Sequence, residues 1–264
     1  MAYTSAYTDH YQDLDASGES YDRSIANRFE LAIFRLERVV LRDLFQRLRG
    51  ADPNTAYLDF ACGTGRILEV FKDLIRTKVG VDTSAGQLAA ARNKVPDAKL
   101  FHGNLVENPE LLGGRKFGLI TSFRLLLNLE PENRVPILRA LRQQLTADGY
   151  LIVDNHMNRY SILGITALFA HKALGVPRKP NVPPGRRGII STMTESEMRT
   201  ALAAAGLRVE EVHRIFVLPG HKRLQLLPTR GLVSVEAFLS RMPLVNRLSK
   251  NQVYVCRQVQ PNPS

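Results

Sequence analysis

An acidic residue followed by a run of small residues stands at spacings that suit the binding of a small cofactor. In the stretch YLDFACGTGR, residues 57–66, Asp59 lies in a hydrophobic segment that leads into Gly63 and Gly65. Glycines at a turn between a strand and a helix let the backbone lie close to a ligand. The backbone N–H groups that begin the helix can bind an anion such as a carboxylate. The stretch therefore predicts a small-molecule site at the end of a strand.

The spacing of the glycines excludes two common phosphate-binding turns. A P-loop has the sequence GxxxxGK[ST], whose lysine and hydroxyl group contact phosphates and Mg²⁺, and this stretch has neither. A dinucleotide-binding turn needs a third glycine for close packing of helix and strand, but Leu68 stands at that position. A different ligand is therefore expected.

The pattern Asp59-x-Ala61-x-Gly63-x-Gly65 resembles motif I of class I S-adenosylmethionine-dependent methyltransferases, with Ala61 in place of the first glycine. The resemblance implies an α/β fold, a doubly wound, Rossmann-like sheet of seven strands with the last strand antiparallel and helices on both faces. It also implies S-adenosyl-L-methionine as cofactor and S-adenosyl-L-homocysteine as product. Asp59 is then expected to meet the ammonium group of the cofactor, beside small residues that leave room for its methionyl part.

The resemblance continues along the chain to further cofactor-binding positions. Asp82 ends the segment VGVD, 23 residues after Asp59, and its carboxylate is expected to accept hydrogen bonds from the ribose hydroxyls, as a similarly spaced acid does in dinucleotide enzymes. Asn104 stands where the family often has a residue that faces the adenine amino group. The other residues expected to border the cofactor are Tyr21, Cys62, Thr83, Gln87, Gly103, Leu105, Ser122 and Phe123.

Methyl transfer needs a nucleophile held in line with the methyl–sulfur bond, and a hydroxyl acceptor also benefits from a general base. His156 follows the expected fifth strand, where the acceptor should enter. Its ordinary pKa of about 6.5 suits proton removal near neutral pH, so we predict that His156 is the base; the alternative is a structural histidine. Arg124 is predicted to orient the acceptor; the alternative is a structural ion pair. No metal is expected.

The spacing of apolar residues predicts the elements that position these side chains. Apolar residues recur at three- and four-residue steps over residues 24–49, which predicts a helix. Short strands then alternate with helices, the first of them expected over residues 65–75, and this alternation predicts a parallel sheet with its ligands at the carboxyl ends of the strands. We expect one methyltransferase domain over 1–264, with a helical N-terminal cap at 1–50, a cofactor-binding core at 55–156, and substrate-side insertions at 157–190 and 219–250.

The net charge of +11 is unevenly distributed along the chain. Residues 1–156 contain 20 Lys/Arg and 20 Asp/Glu, whereas residues 157–264 contain 16 and 5. An apolar helix expected over 161–175 leads into a basic loop, and together they indicate either a lid over the substrate or contact of residues 172–187 with an anionic membrane surface. The further alternative is a solvated basic face that keeps the protein soluble. RNA is a less favoured partner, because basic and aromatic residues do not interleave.

The acceptor is predicted from a second resemblance. Residues 227–257 resemble the tails of bacterial methyltransferases that are encoded with enzymes of glycan and glycolipid assembly. The first hypothesis is therefore methylation of an oxygen on a glycan, glycolipid or related metabolite; the alternatives are an RNA-directed or N-methyltransferase and a non-catalytic relative of the fold. With two cysteines and no apolar N-terminal leader, a cytoplasmic location is expected, with peripheral attachment to the inner membrane face.

Overall fold

The computed structural model describes residues 28–174, 192–218 and 229–259. Tyr21, the start of the predicted first helix and most of the basic segment 172–187 lie outside these residues. The strands are β1 (Tyr57–Phe60), β2 (Lys78–Asp82), β3 (Lys99–His102), β4 (Phe117–Ser122), β5 (Leu145–Asn155), β6 (Leu207–Ile215) and β7 (Asn251–Gln258). The α-helices are α1 (Arg28–Arg49), α2 (Ala85–Lys94), α3 (Pro131–Gln143), α4 (Ile162–Leu174), α5 (Glu195–Ala204) and α6 (Thr229–Leu239).

The described strands form one sheet in the order β3-β2-β1-β4-β5-β7-β6. Neighbouring strands from β1 to β5 are parallel, and β7 is antiparallel to both β5 and β6. The order reverses between β1 and β4, and such a switch point opens a crevice at the carboxyl ends of the strands. The predicted seven-stranded, Rossmann-like sheet with an antiparallel last strand is confirmed.

Apolar side chains cover both faces of the sheet because successive residues of a strand point to opposite sides. In β7, Val253 and Val255 join the apolar cluster under α1, whereas Tyr254 and Cys256 join the cluster under α3 and α5. All four side chains are buried. The helices on the two faces therefore fix the sheet from both sides and leave its carboxyl edge for the site.

The prediction of a helix over residues 65–75 was wrong. After the glycine turn the chain forms a short 3₁₀ helix over Leu68–Phe71, in which the N–H of Val70 bonds to the carbonyl of Ile67 at 3.0 Å. Residues three apart lie on the same side of a 3₁₀ helix, so Leu68 and Phe71 both reach the core and are fully buried. Tertiary packing of these large side chains therefore favours the short 3₁₀ helix over the longer helix that the sequence pattern predicted.

The N-terminal end of α5 is stabilised by hydrogen bonds in both directions between Thr194 and Glu197. The Thr194 side chain accepts a hydrogen bond from the N–H of Glu197, and the Glu197 carboxylate accepts one from the N–H of Thr194. This reciprocal capping box satisfies two N–H groups that a helix start otherwise leaves unpaired. The capping box fixes the backbone at Thr194, close to residue 192, where the second described range begins.

Helix α1 supplies both apolar and charged side chains to the interior. Ile33, Leu41 and Leu44 are fully buried against the sheet. Glu30 and Glu37 are seven residues apart, which places them on one side of the helix, and both face the carboxyl ends of the central strands through the ion pairs described below. The helix therefore closes one wall of the site.

Candidate active site

An open cleft of about 520 Å³ lies at the carboxyl ends of the central strands. It collects side chains and backbone from the glycine turn, from the ends of β1 and β2, and from the loop after β4. Eight of the predicted site residues line it: Asp59, Ala61, Cys62, Gly63, Asp82, Gln87, Phe123 and Arg124. The loop residue Asn128 and three residues that the sequence analysis missed, Thr64, Arg66 and Ile67, complete the lining.

The glycine turn is closed by the carboxylate at the end of β2. Gly63 donates its N–H to Asp82 Oδ2 at 2.8 Å, and Ser84 donates its N–H to Asp82 Oδ1 at 2.9 Å. Each carboxylate oxygen retains a lone pair for a further donor. Asp82 therefore holds the turn in place and still faces the cleft, as a ribose-binding carboxylate must.

Space and backbone conformation explain why glycines stand in this turn. Gly63 and Gly65 have φ angles of +52° and +77°, in the left-handed region that favours glycine. A Cβ atom at Gly63 would lie 2.7 Å from Gln87 Oε1, and one at Gly65 would lie 3.0 Å from the Cβ of Ala91 on α2. Ala61 adopts a φ of +57°, so its methyl group costs conformational energy but does not prevent the turn.

Asp59 is a buried carboxylate at the end of β1. The Thr121 hydroxyl donates to its Oδ1 at 2.6 Å, and the Tyr57 hydroxyl lies 2.7 Å from Thr121 Oγ1. Its second oxygen, Oδ2, is buried and has no hydrogen-bond partner among the described residues. Burial raises the pKa of Asp59 to about 7, against the opposing effect of Thr121. A cationic group that enters the cleft would supply the missing partner.

We predict that the affinity for S-adenosylhomocysteine rises with pH because of Asp59. At pH values below its pKa of about 7, Asp59 is protonated and attracts an ammonium group less. The affinity should therefore fall by up to about tenfold for each pH unit below that pKa. Calorimetric titration at several pH values between 5.5 and 8 measures the slope. Asp59→Asn should bind more weakly and show little of this slope; an unchanged slope in that variant would assign it to another group.

Several predicted cofactor-binding residues lie near the cleft but are not among the residues that line it. Asn104 uses its Oδ1 to accept the N–H of Val106 at 3.0 Å, which caps the loop after β3. The carbonyl of Thr83 is paired with His102 Nε2 at 2.9 Å. The roles of Gly65, Thr83, Gly103, Asn104, Leu105 and Ser122 toward the cofactor stay predictions, as do those of the residues that line the cleft and that of Tyr21, which lies outside the described residues.

A buried polar cluster adjoins the cleft at Arg124. The Arg124 backbone has a φ of +59°, and its N–H donates to Asp154 Oδ1 at 2.7 Å. Its guanidinium group donates to Glu30 Oε2 at 2.6 Å, and Lys250 Nζ lies 3.6 Å from the other oxygen of Glu30. Burial acts to raise the pKa of Glu30, but Arg124 and Lys250 outweigh it and lower that pKa. Glu30 is therefore ionised and fixes Arg124.

His156 belongs to this cluster and is not among the residues that line the cleft. Its side chain is 9% exposed, with Nε2 3.9 Å from Glu30 Oε2 and Nδ1 3.9 Å from Asp154 Oδ2. Burial, followed by the nearby cations Arg124 and Lys250, lowers its pKa well below the ordinary value. The imidazole is therefore neutral near pH 7, and the predicted base lies next to the Glu30–Arg124 pair, which adjoins the cleft.

The same cluster brings together three residues of types that can bind metals. Glu37, Asp154 and His156 each place one ligand atom within 4.8 Å of the others. Arg66 pairs with Glu37 at 3.0 Å, and Arg124 and Lys250 both pair with Glu30. Two carboxylates, Glu30 and Glu37, thus already pair with three cations. Even with the Asp154 carboxylate counted as a third negative charge, a divalent ion would leave about two buried positive charges uncompensated. We assign no metal here. No spacing in the sequence indicated that this cluster would form.

Comparisons with known proteins agree with the fold and the cleft. The profile of a family described as a methyltransferase domain matches residues 33–212. The chain is 40% identical over 80 residues, 30% of each chain, to dTDP-3-amino-3,6-dideoxy-alpha-D-glucopyranose N,N-dimethyltransferase of Streptomyces fradiae. It is 26% identical over 199 residues, 64% of this chain and 82% of the other, to dTDP-3-amino-3,4,6-trideoxy-alpha-D-glucopyranose N,N-dimethyltransferase of Streptomyces venezuelae. Magnesium protoporphyrin IX methyltransferase of Synechocystis, solved with bound S-adenosylhomocysteine, superposes with a TM-score of 0.63 at 14% identity, covering 96% of this chain and 98% of that one.

Proposed function

The chain belongs to the methyltransferase domain family as a class I S-adenosylmethionine-dependent enzyme, and on this basis we propose that it methylates a hydroxyl oxygen of a sugar, in a glycan, glycolipid or related metabolite. The observation that carries the choice of oxygen is the neutral His156 imidazole, which lies between the carboxylates of Glu30 and Asp154 beside the cleft. A hydroxyl group needs a proton acceptor as it attacks the methyl group.

The lining of the cleft supports a division of roles. The turn from Asp59 to Gly65, with Asp82, would hold the methionyl and ribose parts of the cofactor. Arg124 and Asn128 line the cleft from the loop after β4, and Asn128 Nδ2 donates to the Arg124 carbonyl at 2.6 Å. This bond supports the loop after β4, so that Arg124 can orient the acceptor in line with the methyl–sulfur bond.

The second candidate acceptor is the amine of an amino sugar. It is favoured by two relatives whose names describe N,N-dimethylation of dTDP-linked amino sugars. An amine that arrives neutral attacks without a base at the moment of transfer. The two candidates therefore differ in their need for His156 and in the number of methyl groups that one atom accepts.

A matched pair of acceptors tests the proposal. Purified protein with S-adenosylmethionine is offered nucleotide-linked sugars that differ only in a hydroxyl or an amino group at one carbon, and products are measured by mass spectrometry. We expect one methyl group on the hydroxyl compound and loss of this activity in His156→Ala, with binding of S-adenosylhomocysteine retained. Addition of one or two methyl groups to the amine alone, independent of His156, would replace oxygen by nitrogen as the acceptor atom.

We also propose that the enzyme meets lipid-linked acceptors at an anionic membrane. Helix α4 exposes Leu163, Ile165 and Phe169, and the exposed Lys172 lies near its end. Within the described ranges no helix is long and apolar enough to cross a membrane, so contact would be peripheral. To test this, the same hydroxyl-bearing sugar is attached to a lipid carrier, placed in phosphatidylglycerol vesicles and offered to the enzyme as acceptor, and vesicle binding and methylation are measured. Preference for the soluble sugar and no vesicle binding would favour the substrate-lid alternative.

A further inference from the structure

We propose that Asp154 is the positioning residue that makes His156 a proton acceptor, an inference that rests on the proposed methylation of a hydroxyl group. Asp154 stands near the end of β5, two residues before His156, and its side chain is 1% exposed. One of its oxygens accepts the Arg124 N–H at 2.7 Å. The same carboxylate thus contacts the residue that should orient the acceptor and faces the ring that should take the proton.

Two orphaned atoms face each other in this pair. Asp154 Oδ2 and His156 Nδ1 are both buried without a hydrogen-bond partner among the described residues, and they lie 3.9 Å apart. Buried polar atoms in folded proteins are nearly always paired, and catalytic hydrogen bonds are often long before the substrate binds. A small rotation of the ring would bring Nδ1–H onto Oδ2 and leave Nε2 free to accept a proton.

The Asp154 carboxylate would stabilise the positive charge that His156 gains when it takes the proton of the acceptor hydroxyl group. The acceptor oxygen forms a bond to the methyl carbon while the carbon–sulfur bond breaks, and the sulfonium becomes a neutral thioether. The hydroxyl proton passes to His156 Nε2, and the imidazolium that forms keeps its other proton on Nδ1 toward the Asp154 carboxylate. This division of roles follows the histidine–aspartate pair of hydrolases.

Charges around the ring decide which carboxylate can act. Arg66, Arg124 and Lys250 all oppose a positive charge on His156. Glu30 faces Nε2, but Arg124 and Lys250 already share its charge, and Glu37 pairs with Arg66. In the described part of the chain, Asp154 has no Lys or Arg side chain in an ion pair. Its carboxylate is therefore the one whose charge remains to stabilise the imidazolium.

Ionisation of Asp154 should then appear in the pH profile of the reaction. Burial, and next the Glu37 carboxylate, raise the pKa of Asp154 to about 7. The carboxylate form that His156 needs is therefore lost as pH falls below 7. Turnover should rise through about pH 7, with an apparent value that belongs to the coupled pair in the field of Glu30, Glu37, Arg66, Arg124 and Lys250.

Asp154→Asn is the sharp test because asparagine keeps an oxygen for the Arg124 N–H but loses the negative charge. We expect kcat to fall about 10²- to 10⁴-fold, the rise near pH 7 to disappear, and affinity for S-adenosylhomocysteine to stay near that of the wild type. Asp154→Asn combined with His156→Ala should be no slower than His156→Ala alone, because residues that act as a unit are not additive. Glu211→Gln is the control, since Glu211 also pairs with a histidine and an arginine but outside the cleft, and it should leave kcat unchanged.

A second readout needs no acceptor. Nitrogen chemical shifts of the His156 ring report which nitrogen carries the proton, and we expect Nδ1–H in the wild type and Nε2–H in Asp154→Asn, where the amide donates to Nδ1. An unchanged tautomer together with an unchanged pH profile would overturn the role of Asp154. Full activity of His156→Ala would instead overturn the proposed base itself, so the two failures are distinguishable.

Discussion

Replacement of Asp82 by alanine is expected to weaken the binding of S-adenosylhomocysteine by at least about 100-fold. Two losses combine. The ribose hydroxyls lose a charged acceptor, worth about 1.5–3 kcal/mol for each such hydrogen bond, and the glycine turn loses the carboxylate that holds its backbone. Gly63 and Ser84 both donate backbone N–H groups to this carboxylate. Calorimetric titration of the variant beside the wild type measures the change.

Asp82→Asn separates the two contributions. An asparagine can accept one of the two backbone N–H groups and one ribose hydroxyl, so its loss of affinity should fall between those of the wild type and Asp82→Ala. Thermal unfolding of both variants checks that the fold survives. If a folded Asp82→Ala protein bound the product as tightly as the wild type, the ribose-binding role of Asp82 would be wrong.

The second large effect is expected in stability, from Arg66→Met. Arg66 donates to Glu37 at 3.0 Å, and the Glu37 side chain is 1% exposed. Removing the arginine leaves a buried carboxylate whose one remaining hydrogen-bond partner among the described residues is the Asn251 amide, 3.4 Å away. Loss of one partner of a buried ion pair typically costs about 3–5 kcal/mol, and we expect the free energy of unfolding in urea to fall by about 3 kcal/mol.

Two further variants show whether the lower free energy of unfolding comes from the unpaired Glu37 carboxylate. Glu37→Leu combined with Arg66→Met removes both charges and should recover most of the stability, because an apolar pair can replace a buried ion pair at little cost. Arg76→Met is the matched control, since Arg76 is exposed and its guanidinium group, within the described structure, bonds only to the surface residue Asn54. An equal loss in the control would show that the effect is not one of the buried pair.

Local features of the site could be predicted from the sequence because they depend on residues near each other along the chain. The left-handed turn at Gly63 follows from the missing side chain, and Asp82 follows from the length of one strand–helix–strand unit. The capping box at Thr194 has the same local origin, because its partner Glu197 is three residues further along the chain. Alternation of apolar segments was enough to predict the parallel sheet.

The polar cluster could not be predicted because it joins distant parts of the chain. Glu30 reaches Arg124 across 94 residues, and Glu37 reaches Asn251 across 214. No spacing within α1 distinguishes these carboxylates from surface charges. His156 was found from its place after β5, but its burial and its neighbours depend on how α1 packs over the sheet. The 3₁₀ helix after the glycine turn likewise depends on packing.

Strand β7 lies between β5 and β6 in the sheet, although it follows both in the chain. During synthesis, therefore, β5 and β6 leave the ribosome before the strand that joins them. In that interval Leu151, Ile152 and Val153, which are fully buried in the finished sheet, belong to an edge with unpaired backbone groups. Such an edge can pair with other chains, so the partly synthesised protein is open to aggregation at this edge until β7 is added to the sheet.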